Sequence, residues 1–217
     1  MLKKYSGHFL FGAVLFGPTM FGILIIMNLN GGGFSFLSHM VCSLAVDSIS
    51  TRIVFGVAAW GMALLHIPFF LYWPEFIASK GSKKVGKNVF LIFGILFVVG
   101  FFLFPFIPLD PDNLRSFRVH QVVAVFFFSA SIAIPLICAI NILTIQGAKR
   151  IFSVFSLLWS IISMLFLIPF VILALHAPPY PGYVNLLNWI YLLVYGPWAI
   201  LHALLFIGKI SIVKKIV

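Results

Sequence analysis

Six long apolar runs, separated by connectors rich in charge, glycine or proline, restrict the fold of this chain more than any other feature. About 20 apolar residues are needed to cross the hydrocarbon core of a bilayer as an α-helix. The runs predict transmembrane helices at about residues 8–27, 53–73, 89–106, 119–143, 151–175 and 186–207. We therefore expect an all-α fold, in which residues 1–217 form one domain, a single bundle of six membrane-spanning helices.

The composition excludes a soluble globular domain. Of the 217 residues, 63% are hydrophobic and 8% are charged, whereas about a quarter of the residues in a typical soluble domain carry a charge. The 14 Lys and Arg outnumber the 4 Asp and Glu, but no basic stretch alternates with aromatic residues as a nucleic-acid surface would require. We predict membrane lipids as partners, keep other membrane subunits as candidates, and expect no nucleic acid.

The positions of Lys and Arg predict the orientation of the bundle, because cytoplasmic loops are enriched in these residues. If the N-terminus is cytoplasmic, three cations fall outside, at Arg52, Arg115 and Arg118. Eleven then fall inside, at Lys3, Lys4, Lys80, Lys83, Lys84, Lys87, Lys149, Arg150, Lys209, Lys214 and Lys215. We predict a multi-pass protein of the cell membrane with both termini in the cytoplasm.

Besides Pro105 at the end of the third span, five prolines fall in the interior of the predicted spans, at Pro18, Pro68, Pro135, Pro169 and Pro197. Proline within a helix removes one backbone hydrogen bond and bends the axis. Membrane bundles tolerate this bend because neighbouring helices re-satisfy the freed carbonyl. We expect these prolines to shape the bundle, and a hinge is the alternative.

Polar residues recur every four positions in the first outer connector, at Ser35, His39, Ser43, Asp47 and Thr51. In a helix, a side chain four positions farther along lies only about 40° around the axis from the one before it. The five side chains would therefore form one stripe. The apolar residues of the same segment fall on another face. We predict a short amphipathic helix, whose polar stripe faces either water or a pocket at headgroup level.

The second outer connector places a carboxylate near a histidine. Asp110 lies in a proline-rich turn, Asp112 or Asn113 is expected to cap the next helix, and His120 starts the fourth span. A carboxylate beside the imidazole would orient it as a base or a metal ligand. The alternative is a structural clasp that ties the third and fourth helices together.

The candidate functional residues all lie on the predicted outer side. For lipid or ligand binding they are Ser35, Ser38, His39, Asp47, Asp110, His120 and His176. The candidates for catalysis are His120, Asp110, His39 and Ser43. Zinc would suit His39, His120 and His176 chemically, but their spacing is not a metal signature, and we predict no cofactor. We expect His66 and His202 to hydrogen-bond neighbouring helices rather than to bind haem.

Three short segments carry a family resemblance: Ser35-Phe-Leu-Ser38, Phe104-Pro-Phe-Ile-Pro-Leu-Asp110 and His120-Gln-Val-Val-Ala124. Their order resembles that of uncharacterised six-helix prokaryotic membrane proteins of the domain-of-unknown-function class. That class is related to the eukaryotic Frag/DRAM-like superfamily, which includes a GPI-anchor lipid-remodelling factor and autophagy modulators. The likeness covers roughly the first 145 residues. It implies six helices, a cytoplasmic N-terminus and a lipid-linked role, and it singles out Ser38, Asp110 and His120.

Three functions fit these observations. The first is a non-enzymatic membrane protein that binds lipid or a partner through a polar pocket on its outer face. The second is a lipid-modifying enzyme, in which His120, oriented by Asp110, acts as base or metal ligand with support from His39 or Ser43. The third is a small transporter, for which the proline-bent helices are the argument. Convergence of the polar residues on one cavity would favour the first two, and a continuous polar path would favour the third.

Overall fold

The computed structural model describes residues 2–30, 35, 43–44, 48–82, 86–107, 113–173, 182–208 and 210–212. These residues form six α-helices, namely α1 Leu2–Asn30, α2 Ile49–Ala78, α3 Lys87–Leu103, α4 Leu114–Leu143, α5 Arg150–Leu173 and α6 Gly182–Ile207. A 3-10 turn, Phe104–Phe106, continues α3. All six helices are long and apolar enough to cross a membrane, so the predicted all-α, six-span architecture is confirmed.

Several helices extend beyond the apolar runs that predicted them. The second helix begins at Ile49, where the side chain of Ser48 and that of Thr51 cap each other's backbone N–H groups. The fourth begins at Leu114, because the Asn113 side chain accepts a hydrogen bond from the Ser116 N–H, as predicted for that residue. Hydropathy marks the part of a helix that crosses hydrocarbon, whereas capping groups fix where the helix starts.

The six helices form a closed ring. Each helix packs against the next along the chain, and α6 packs against α1. The chain direction alternates, since Lys3 near the start of α1 forms a 2.8 Å salt bridge with Glu75 near the end of α2. We call the end where α1, α3 and α5 begin and α2, α4 and α6 end the proximal end. The opposite end, where α2, α4 and α6 begin, is the distal end.

Prolines and a glycine shape the packing between these helices. All five prolines predicted within spans lie inside helices, at Pro18, Pro68, Pro135, Pro169 and Pro197. Gly94 lets α3 approach α2, because a Cβ added at this position would lie 2.8 Å from the Cγ of Phe70. Small residues at helix crossings are typical of membrane bundles, where close backbone approach drives association.

The outer surface of the ring is apolar on every helix. Large aliphatic or aromatic side chains are exposed there, for example Ile26, Leu64, Ile95, Phe126, Ile161 and Leu193. In water such a surface would drive aggregation, but lipid chains solvate it. The buried side of the ring, in contrast, contains many of the polar side chains.

Aromatic side chains pack together across the ring's interior on the proximal side of its middle. The ring centroids of Trp159 and Trp198 lie 4.4 Å apart, and those of Trp198 and His202 lie 4.5 Å apart. The ring centroids of Trp73 and His202 lie 5.1 Å apart with the rings tilted, and Phe69 meets Trp198 edge-on at 5.6 Å. We call these five residues the aromatic layer. They bring α2, α5 and α6 together across the bundle.

Candidate functional site

A cavity of about 70 Å³ occupies the distal half of the interior, and all six helices contribute to its wall. It is partly open to the surroundings. Nine phenylalanines line it: Phe21, Phe55, Phe97, Phe101, Phe104, Phe127, Phe128, Phe166 and Phe170. The remaining lining residues are Met62, His120, Ala124, Asn188, Tyr191, Leu192 and Tyr195. The wall is therefore apolar, with a few polar groups at defined points, as small-molecule sites usually are.

The helical repeat explains why these residues share one cavity. Residues three, four and seven positions apart lie on the same face of a helix. The lining residues of α6, at Asn188, Tyr191, Leu192 and Tyr195, follow that spacing. Those of α4 do the same, at His120, Ala124, Phe127 and Phe128. The sequence did not predict this convergence of phenylalanines, although the spacing of Asn188, Tyr191 and Tyr195 on α6 was a signal for one inward-facing polar side.

His120 is held at the distal end of this wall. Its side chain is 2% exposed, and its Nδ1 donates a hydrogen bond to the Ile107 carbonyl at 2.5 Å. The ring also packs on Phe104, with centroids 5.1 Å apart. These contacts join the end of α3 to the start of α4 through a backbone carbonyl. The clasp predicted from Asp110 and His120 stays a prediction, because Asp110 lies outside the described residues. In the neutral imidazole, Nε2 is then a hydrogen-bond acceptor.

Two buried tyrosines lie deeper in the cavity, and the hydroxyl proton of each is used within the protein. His66 donates from Nδ1 to the Met62 carbonyl at 2.6 Å. Its Nε2 therefore accepts from the Tyr195 hydroxyl. The Tyr191 hydroxyl donates to Ser131 at 2.9 Å. The phenol groups thus join α6 to α2 and α4 inside the apolar interior.

Both histidines that were predicted to bond neighbouring helices do so. His66 of α2 bonds Tyr195 of α6. His202 of α6 lies with Nε2 3.4 Å from the Ser156 hydroxyl of α5, while its Nδ1 donates to the Trp198 carbonyl. Polar groups between transmembrane helices stabilise the bundle when each finds a partner, so these histidines have a structural role.

The predicted polar stripe of the first outer connector does not extend to Thr51. Ser48 is in an extended conformation, and Thr51 lies buried in the first turn of α2, where it forms the capping box with Ser48. That part of the prediction is wrong, because the Ser48 hydroxyl offers the backbone a helix start at this point. Ser35 is exposed, and Ser43 is half-buried in a short turn beside the buried Leu44.

Five of the candidate residues, Ser38, His39, Asp47, Asp110 and His176, lie outside the described residues. The predicted amphipathic helix, the pairing of Asp110 with His120 and the grouping of three histidines therefore stay predictions. Within the described part of the chain, no group of three or more His, Cys, Asp and Glu side chains could hold a metal ion. Of the candidates, the structure places His120 in the cavity wall.

Comparison with known proteins adds no relative. No protein-family model, no curated protein and no solved structure matches the chain. The resemblance to the uncharacterised six-helix membrane proteins and the Frag/DRAM-like superfamily therefore stays a prediction based on three short segments.

Proposed function

We propose that this protein binds a lipid-like amphiphile in the distal cavity. The observation that carries the proposal is the wall itself, which combines nine phenylalanines from five helices with polar groups at His120 and Asn188. An apolar tail would contact the phenylalanine rings, and a polar end would reach the imidazole or the amide. The cavity has a volume of only about 70 Å³, so a slender chain fits it better than a bulky ring system.

Binding is favoured over transport by the packing below the cavity. A transport route needs polar groups or water along the whole membrane depth. Phe69 and Trp73 lie about 10 and 16 Å farther along α2 than Met62, which lines the cavity. They belong to the aromatic layer, whose rings pack together across the interior on the proximal side of the cavity. In the described residues, this arrangement supports a cavity that ends near the middle of the bundle.

A lipid-modifying enzyme is the second candidate, and one observation favours it. The imidazole of His120 lines the cavity with its Nδ1 already bound to Ile107. A neutral Nε2 in that position can accept a proton from a ligand hydroxyl or a water molecule. The enzyme hypothesis differs from simple binding because it requires that the bound lipid be converted into a new product.

The orientation is part of the proposal. We infer that both termini are cytoplasmic and that the distal end faces outward in the cell membrane. The support is the distribution of Lys and Arg along the sequence, which assigns eleven of them to the cytoplasmic side and three to the outer side. The cavity would then take its ligand from the outer leaflet or from the external aqueous phase.

The proposal is tested by filling the cavity. Ala124 lines the wall and is buried, so Ala124→Phe would place a further ring in a space of about 70 Å³. Ala133 lies on the same helix but is half-buried outside the lining set, so Ala133→Phe is the matched control. Lipids that co-purify with the wild type and with each variant are identified and counted by mass spectrometry.

We expect one class of amphiphile to be retained by the wild type and by Ala133→Phe, and to be lost from Ala124→Phe. Equal retention by all three proteins would contradict binding in the distal cavity. If purified protein instead converts added lipid into a new species, and His120→Ala stops the conversion, the enzyme reading replaces simple binding.

A further inference from the structure

We infer, on the basis of the proposed function, that the ligand's polar end is uncharged and donates a hydrogen bond, as the hydroxyl of a long-chain alcohol or a monoacylglycerol does. The inference rests on the hydrogen-bond character of the cavity wall. Three of its four polar residues, His120, Tyr191 and Tyr195, have their protons committed to other protein groups. What they can offer a ligand is lone pairs.

The argument for His120 follows from its carbonyl partner. A carbonyl oxygen accepts and never donates, so the nitrogen beside Ile107 must be the protonated one. In the neutral ring the other nitrogen, Nε2, then has a lone pair and no proton. Among the described residues, the hydrogen-bond partner of this imidazole is the Ile107 carbonyl, which binds Nδ1. A ligand that meets Nε2 must bring a donor.

The same reasoning applies to both tyrosines. Met62 fixes the proton of His66 on Nδ1, so the Tyr195 hydroxyl must donate to Nε2 of that ring. Ser131 donates to the Phe127 carbonyl at 3.0 Å, so its oxygen accepts the Tyr191 proton. Each phenol oxygen therefore has only acceptor capacity left.

The charge of the wall argues against a phosphate headgroup. Among the described residues that line the cavity, none is a Lys, Arg, Asp or Glu. Asn188 is the lining residue with amide N–H donors. The cations nearest to His120 along α4 are Arg115 and Arg118, and both are exposed. An anion bound against lone pairs, without a cation, would be strongly disfavoured in an apolar interior.

The test compares three probes with the same dodecyl chain. Wild-type protein in phosphatidylcholine nanodiscs is equilibrated with tritiated 1-dodecanol, and counts retained by empty discs are subtracted. Unlabelled 1-dodecanol, dodecyl methyl ether and monododecyl phosphate then compete for the site. The ether keeps the oxygen but loses the donor, so we expect it to require about a five- to tenfold higher concentration, the worth of one hydrogen bond. The phosphate should compete least.

Two variants at His120 separate the acceptor from the clasp. In His120→Asn, the amide nitrogen can replace Nδ1 opposite Ile107, but nothing replaces Nε2. We expect the preference for alcohol over ether to fall to within about twofold while ether binding is kept. In His120→Gln, the side-chain amide reaches the Nε2 position and restores an acceptor, so the preference should return. Thermal unfolding of each variant in the same discs verifies that it is folded.

The outcomes distinguish this inference from the proposed function. Saturable binding of alcohol and ether with equal affinity by the wild type would overturn the inference and leave the cavity as a binding site. Tightest competition by the phosphate would also overturn it and would direct attention to Arg115 and Arg118. No retention above empty discs would count against the proposed function itself.

Discussion

His66 and Tyr195 form a buried polar pair at the middle of the bundle. His66 is 1% exposed and Tyr195 is 6% exposed, and aromatic rings from α2 and α3 surround the imidazole. In such a setting an imidazole nitrogen that loses its partner has no water to replace it. The pair therefore fixes the position of α6 relative to α2, and with it the depth of the cavity.

Removing the phenol hydroxyl should destabilise the protein measurably. Tyr195→Phe keeps the ring but leaves Nε2 of His66 without its donor, at a cost of about 1–3 kcal/mol by the general rule for buried groups. Values for membrane helices lie nearer about 0.6 kcal/mol. We expect a lower midpoint of thermal unfolding in detergent, followed by tryptophan fluorescence. The control is Tyr183→Phe at an exposed position, and equal midpoints for the two variants would show that the pair contributes nothing.

At the scale of the helix, close packing of two helices depends on glycine at the point of contact. Gly94 of α3 lies against Phe70 of α2, and a methyl group there would come within 2.9 Å of the Phe70 Cβ. The Phe70 Cβ is anchored to the α2 backbone and cannot swing away, so the two helices would have to separate. Gly22 of α1, in contrast, has no atom of another helix within 4 Å of an added Cβ.

The two glycines should therefore respond oppositely to the same change. Gly94→Ala overpacks the α2–α3 contact, which typically costs about 1–3 kcal/mol. Gly22→Ala gains helix propensity of up to about 1 kcal/mol without a clash. Chemical or thermal unfolding should place the first variant below the wild type and the second at or above it. A Gly94→Ala protein as stable as the wild type would mean that α2 and α3 do not approach this closely.

The sequence predicts the helices better than it predicts which of their faces point inward. The six apolar runs predict the six helices, and Asn113 predicts the start of α4. Both predictions succeed because run length and capping chemistry are local properties of the sequence. The cavity depends on which phenylalanines face the interior. Lipid is as apolar as a protein core, so an exposed Phe126 and a buried Phe127 have equally acceptable environments. Polar residues break this symmetry, as Asn188, Tyr191 and Tyr195 do on α6.

The candidate site shows the same limit. His120 was identified from its place after a turn at the end of a span, and it does line the cavity. Its bond to a backbone carbonyl could not be predicted, since every residue offers the same carbonyl group. The roles of Tyr191 and Tyr195 depend on partners from two other helices, α2 and α4. Contacts between distant segments of the chain leave no local pattern in it.

For the molecule as a whole, the orientation proposed from its charges is open to direct labelling. Lys80 is exposed at the proximal end and Arg115 is exposed at the distal end. In a Cys42→Ser background, a membrane-impermeant maleimide added to intact cells should label Arg115→Cys. It should label Lys80→Cys only after the membrane is opened, because the excess of cations on that side predicts a cytoplasmic location.

The native Cys138 is buried and unpaired, and the Cys42→Ser protein without added cysteine serves as the control for its labelling. If Lys80→Cys is labelled in intact cells and Arg115→Cys is protected, the topology is the inverse of the one proposed. The cavity would then open toward the cytoplasm.

The closure of the ring between α1 and α6 also determines when the cavity comes into existence during synthesis. Asn188, Tyr191 and Tyr195 belong to α6, so a chain that has inserted only α1 to α5 lacks one wall of the site. Until α6 inserts, the inward faces of α2, α4 and α5 meet lipid or an insertion chaperone, and a ligand has no complete site to stabilise. Ligand present during biogenesis would thus favour fully inserted chains over truncated ones. A premature stop after α5 would leave the aromatic side chains of the cavity exposed, and the cell's quality control could recognise them.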